Sequence, residues 1–215
     1  MTISFNTDSI NRLLAPGLSE FTAACDAPDL TAAHDQATHW LANHFLNTLF
    51  GPNFKDRFRQ YALNQLFRAE VAFRDYHEAR DLCLKFFEPG QPDYPAIRTC
   101  FRAISRWESC LLNTQIFIDV MSKMKLALGD GPVFVAGDGS REQRAYELAN
   151  AIKHWSGHVA SQKYDETLTI PVWLTNDGLK SLKYQISFAD LATLISEIAA
   201  VADELQAPTL FALEK

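Results

Sequence analysis

Phe188, Leu191, Ile195, Ile198, Ala202 and Leu205 recur at steps of three and four. At 3.6 residues per turn that spacing lays one apolar stripe down one side of an α-helix, a pattern that a strand with alternating side chains does not present. Ser187 stands at its start with Asp190 three positions on, a cap followed by an acid in the first turn, and Pro208 lies just past its end. Such a stripe must be covered by other elements, and most of the remaining chain repeats the same period. From about Phe54 to Phe87, the residues Phe58, Tyr61, Leu66, Ala69, Phe73 and Tyr76 fall on one side and charges such as Arg59, Arg68, Asp75, Glu78 and Arg80 elsewhere, until Pro89-Gly90 stops the helix. A further helix begins after Pro92 or Pro95 and reaches about Leu128. Its stretch from Leu112 to Met124 is apolar nearly all round, as expected of the buried centre of a bundle. Asp29 to Phe50 reads as an earlier helix closed by Gly51-Pro52, with one or two weaker helices between Asn6 and Cys25.

Two segments break the helical pattern. Between Gly129 and Gly139 the run GDGPVFVAGDG precedes Ser140 and Gln143, which form a capping box for a helix from Arg141 to about Trp155. A glycine-rich loop at a helix start can hold an anion. This one lacks the Lys-Ser/Thr pair of a phosphate-binding loop and the GxGxxG spacing after a strand, so it reads as a connection between helices. Later, Thr167 to Trp173 and Lys183 to Phe188 flank Asn176-Asp177-Gly178, the pattern of a small β-hairpin or flap. With no repeat, low-complexity tract or linker, residues 1–215 are expected to form one domain. The expected fold is all-α, a helical bundle with long antiparallel helices and a small hairpin before the last helix.

The function classes narrow by exclusion. Twenty Lys+Arg against 26 Asp+Glu leave a formal charge of -6, which argues against a protein that coats nucleic acid non-specifically. Apolar runs such as Ile116 to Met121 fall far short of the roughly 20 residues that cross a bilayer, and the first residues lack a basic-then-apolar leader. A soluble, cytoplasmic protein with no membrane partner is expected. Cys25, Cys83, Cys100 and Cys110 form no CxxC pair and read as buried free thiols. His34, His39 and His44 are five apart, a turn of about 140° per step, so they cannot share a helix face. His77 lies among Asp75, Glu78 and Asp81 but without the Glu-x-x-His pair of a carboxylate-bridged metal site, and both groups read as solvated charged faces. There is no HExxH and no GxSxG. No metal and no cofactor are expected.

What remains is Tyr146-Glu147-Leu148-Ala149-Asn150-Ala151-Ile152-Lys153-His154-Trp155, near the end of a helix. The core Leu-Ala-Asn-Ala-Ile-Lys-His resembles the signature of HEPN-domain proteins, in which an arginine, usually followed by a polar residue such as asparagine, precedes a histidine by a few positions. The resemblance covers this motif and the general helical plan. It implies a helical bundle that forms a homodimer with the motifs of two chains facing one another. It also implies a metal-independent ribonuclease of the prokaryotic toxin and defence kind. RNA cleavage without metal needs a group of near-neutral pKa to move the 2′-OH proton and a cation to stabilise the crowded phosphate.

Carried over by position, His154 is the acid/base and Asn150 the polar partner that orients phosphate or ring. The arginine position is Ala149. Arg144 precedes His154 by ten residues, about 15 Å along a helix, too far to share a phosphate. Lys153 is the remaining cation, pointing about 100° away from His154 unless it reaches round or acts across a dimer interface. The stretch from Arg141 to Lys163 carries Arg141, Arg144, Lys153 and Lys163 against Glu142 and Glu147, mildly basic within an acidic chain. Two functional readings follow: an RNA-cleaving protein working through His154, Asn150 and Lys153, or a non-catalytic HEPN-like module that binds RNA, a nucleotide or a partner protein there. The same residues can also serve structure alone, since Asn150 and His154 are placed to hydrogen-bond and cap a helix end, and Tyr146 and Trp155 to fill a core or interface.

Overall fold

A computed structural model describes residue 12 and residues 24–35, 37–50, 56–88, 93–161 and 169–207. In chain order the elements are α1 (Trp40–Phe50), α2 (Asp56–Phe87), α3 (Asp93–Ala127), α4 (Arg141–Lys153), α5 (Trp155–Ala160), β1 (Trp173–Leu174), β2 (Gly178–Lys180), β3 (Gln185–Ser187) and α6 (Phe188–Leu205). The protein is a mostly helical bundle with a small antiparallel sheet before the last helix. α2 and α3, 32 and 35 residues long, span about 48 and 52 Å at 1.5 Å per residue. They run antiparallel along one another, with Arg68 bonded to Asn113 and Asp75 to Arg106 and Ser109. Buried alanines at 62, 69, 72, 79 and 103 let the two axes approach closely around Leu66, Tyr76, Trp107 and Leu111.

The six stripe residues of α6 are all buried. Phe188 lays its ring 5.2 Å from that of Trp107, which stands edge-on to Tyr76 at 5.3 Å. Ser187 caps α6 by accepting from the Asp190 N–H at 3.0 Å, as its position predicts. The far end of α6 is held by α1: Trp40 Nε1 donates to Asp203 Oδ1 at 2.6 Å, and Asn47 Nδ2 donates to the Gln206 carbonyl at 2.8 Å. His44 Nδ1 lies 3.2 Å from the Leu205 carbonyl. The contacts of His44 and Asn47 reach carbonyls that a helix end cannot pair internally.

Several expectations are corrected. The helix expected from Asp29 begins only at Trp40. Before it, Asp29 folds its carboxylate onto the Thr31 N–H and hydroxyl, and i to i+3 turns follow at Leu30 and His34, so local side-chain bonds compete with the helix ladder. The histidine faces are not simply solvated. His44 is buried, and His77 is half-buried against the Phe73 ring at 4.7 Å. Asp75, expected among exposed charges, is fully buried and accepts from Ser109, Arg74 and Arg106. The continuously buried part of α3 ends at Ile118; beyond it Asp119 meets Tyr146 of α4 while the opposite side reaches the surface.

The flap is a three-stranded meander rather than one hairpin. Asn176-Asp177 joins β1 to β2, and a second turn at 181–184 joins β2 to β3. β2 was missed because a three-residue strand shows no readable alternation. Gly178 is required there, since a Cβ would sit 2.1 Å from the Ile186 carbonyl oxygen. The loop between α3 and α4 is a connection, with Gly129, Gly137 and Gly139 at positive φ. Ser140 caps α4 by accepting from the Gln143 N–H, and Gln143 Oε1 accepts from Gly139 rather than from Ser140. α3 begins at Asp93, with Pro95 in its first turn, where a missing N–H is tolerated. Most of the segment from Asn6 to Cys25, the stops at Gly51-Pro52, Pro89-Gly90 and Pro208, and the residues from Thr167 to Leu168 and at Lys163 lie outside the described residues. Among the described residues no helix is long and apolar enough to cross a membrane.

Candidate functional site

α4 ends at Lys153, and the chain turns at His154, with φ -101° and ψ 7°, before the short α5 begins at Trp155. His154 therefore caps one helix and opens the next: its N–H donates to the Asn150 carbonyl at 3.0 Å and its carbonyl accepts from the His158 N–H at 3.1 Å. This break leaves the side chains of Lys153 and His154 exposed. Trp155 anchors α5 by packing with Trp173 of β1 and Ile170, a small apolar cluster that Ile170 joins to the main core. β3 packs against α4, which brings the turn after β2 up to the same junction.

Two adjoining clefts open around His154. One, of about 370 Å³, is lined by Lys153, His154, Ser156, Gly157, His158 and Ser161. The other, of about 300 Å³, is lined by residues including Glu147, Asn150, His154 and His158 from the helices and Ser181, Lys183 and Tyr184 from the meander. His154 and His158 line both. The exposed ammonium groups of Lys153 and Lys183 have no ion-pair partner among the described residues, and Glu147 is the one carboxylate in either lining. The two imidazoles, with the Lys153 ammonium in one cleft and the Lys183 ammonium in the other, can hold a phosphate. Among the described residues no group of three or more His, Cys, Asp or Glu side chains converges as metal ligands.

The three residues singled out by sequence share this junction but not one role. His154 and Lys153 face the clefts. Asn150 instead belongs to the scaffold as well as the rim: its Oδ1 accepts from Gln115 Nε2 of α3 at 2.6 Å, and its Nδ2 reaches Glu147 Oε2 at 3.4 Å. Gln115 is fully buried and also donates to the Tyr146 carbonyl at 3.4 Å, so one α3 amide grips α4 at two points. Asn150 and His154 are linked through their backbones, while the Asn150 side chain turns toward α3. Tyr146 packs its ring 5.2 Å from Phe134 and donates to Asp119 Oδ1; burial, reinforced by Asp119, raises its pKa.

Ala149 is fully buried in the main core, with Leu148 and Ala145 of the same helix. The position at which the family resemblance calls for an arginine thus points away from both clefts. The two arginines of α4 are also committed elsewhere: Arg144 Nη2 bonds Asp190 Oδ2 at 2.9 Å, and Arg141 pairs with Glu142 and Glu197. Both tie α4 to α6. Lys183, Ser181 and Tyr184 were missed because nothing in their local sequence marks them; only the fold brings the meander to α4. His158 carried a readable signal, since it stands four residues from His154, one helical turn on.

Set against known proteins, the chain matches no family model, no curated protein and no solved structure.

Proposed function

We propose that the chain is a HEPN-like helical module that binds single-stranded RNA through a phosphate held in the clefts around His154, without the arginine-histidine chemistry of active HEPN proteins. The observation that carries this reading is the grouping of His154, His158, Lys153 and Lys183 at the α4–α5 junction, with both lysines free of carboxylate partners among the described residues. Two free ammonium groups in an otherwise acidic chain make a local anion site. The buried Ala149 supports binding over catalysis, since no guanidinium can enter from that position. In this reading two copies associate with their junctions facing, as the resemblance implies, and sedimentation of the purified chain reports that state.

The test is fluorescence anisotropy of a labelled single-stranded RNA in EDTA, with a free mononucleotide as competitor. Lys153→Ala and Lys183→Ala should each weaken binding by about five- to tenfold and lower the salt slope by about 0.7 per lost phosphate contact. RNA affinity untouched by both substitutions, or no RNA binding at low salt, refutes the proposal. Displacement by the mononucleotide alone at comparable concentration reassigns the ligand to a nucleotide.

A second reading, metal-independent RNA cleavage as a toxin or defence protein, is favoured by one observation: two imidazoles line the same clefts. One can take the 2′-OH proton while the other protonates the departing 5′-oxygen, leaving a 2′,3′-cyclic phosphate. It requires RNA cleavage in EDTA that disappears in both His154→Ala and His158→Ala, and intact RNA after prolonged incubation eliminates it.

A further inference from the structure

The segment before α1 lies along α2 in the opposite direction. Tyr76 Oη donates to the Pro28 carbonyl at 2.9 Å, and one turn on, Arg80 Nε donates to the Ala27 carbonyl at 2.9 Å. Continuing one more turn brings Cys83 to the level of Cys25, which packs against the core that holds Cys83, and each thiol shifts the ionisation of the other. Cys83 is fully buried, and its sulfur accepts from Trp107 Nε1 at 3.3 Å. Cys25 is half-buried on the outer side of the pair, so the pair has one buried sulfur and one that solvent reaches. The segment carrying Cys25 has no regular structure of its own and is pinned at the other side by the Ala24 N–H on Asn176 Oδ1 at 3.3 Å. Such a segment can adjust to a bond of about 2 Å more easily than two helices can.

We propose that Cys25 and Cys83 are a redox modification site that forms a reversible disulfide on reaction with a low-molecular-weight disulfide such as oxidised glutathione. The division of labour follows from their surroundings. The neighbouring Cys83 thiol, then the Ala27 N–H and Arg80, lower the Cys25 thiol pKa against the opposing effects of burial and Asp26, while Cys83 is pushed up by Cys25 and by burial. Cys25 is the nucleophile and Cys83 the resolving thiol. The Cys25 thiolate attacks one sulfur of the glutathione disulfide, forming a mixed disulfide and releasing one glutathione thiolate, which takes up the proton Cys25 gave to solvent. Cys83 then loses its proton and attacks Cys25 Sγ, expelling the second glutathione as a thiol. Two protein thiols are oxidised and one glutathione disulfide is reduced to two thiols. The product staples the segment before α1 to α2 and closes the loop between residues 25 and 83.

The test uses the whole protein, incubated with oxidised glutathione at mildly alkaline pH, quenched with acid, alkylated after unfolding and mapped by mass spectrometry without reduction. The expected product is a Cys25–Cys83 linked peptide, with Cys100 and Cys110 alkylated, reversal by dithiothreitol, and a higher urea midpoint for the oxidised protein. A lasting glutathione adduct on Cys25 in the wild type, a Cys83–Cys100 link, or no reaction overturns the proposal. Cys83→Ala should trap the glutathione adduct on Cys25. Because Cys83 lies in the core, the half-buried Cys25→Ser is the companion variant; it should leave Cys83 unmodified, and glutathionylation of Cys83 there also overturns the assignment.

Discussion

Ala149→Arg should strongly destabilise the protein rather than place a guanidinium in the clefts around His154. Ala149 is fully buried, with Ala145 and Leu148 of the same helix buried beside it. A three-carbon stem and a guanidinium have to enter a close-packed interior there. Overpacking of this kind costs about 1–3 kcal/mol. The guanidinium adds several kcal/mol of desolvation unless a carboxylate meets it, and the carboxylate nearest in sequence, Glu147, lies in the cleft on another face of α4. The sum, about 4–6 kcal/mol, approaches the whole margin of about 5–15 kcal/mol that holds a domain folded. In urea, with an m-value of about 2–3 kcal/mol/M, the unfolding midpoint should fall by roughly 2 M. Far-UV circular dichroism against urea measures it, with Lys153→Arg as a control at an exposed position, where the change should stay within about 0.5 kcal/mol. A loss below about 1 kcal/mol would refute the reasoning, and gain of RNA cleavage by Ala149→Arg would show that this face of α4 opens toward the site.

Two further outcomes are expected. Asp75→Ala removes a buried acceptor from Ser109 but leaves Arg106 paired with Glu78 at 2.7 Å, so its cost should be about 2 kcal/mol rather than the larger penalty of a stranded charge; a double-mutant cycle with Ser109→Ala giving no coupling would contradict this. Burial holds the His44 and His77 imidazoles below the ordinary histidine value, His77 despite Asp29. Below about pH 6.5 the unfolded chain then binds protons that the folded one does not, so stability complete above that pH declines as pH falls toward their folded values. Urea midpoints between neutral and mildly acidic pH should show that slope in the wild type and a flatter one in His44→Gln and His77→Gln.

The periodic stripe of α6, its Ser187 cap and the long spans of α2 and α3 were legible from the sequence because helix periodicity and capping are local, set by side chains three and four apart. So were the class of fold and the position of His154 at a helix end. The start of α1 at Trp40 was not, because Asp29 and the turns after it offer the backbone bonds that propensity alone does not weigh. Tertiary structure decided the rest. Asp75 and Ala149 look like any helix residues in sequence, and they are buried because α3 covers one and the core the other. Asn150 is turned inward by Gln115, and Lys183 joins His154 only because β3 packs on α4. Which face of a helix is covered, and which distant residues meet in a cleft, depends on partners far along the chain, and that information is carried by packing rather than by any local pattern.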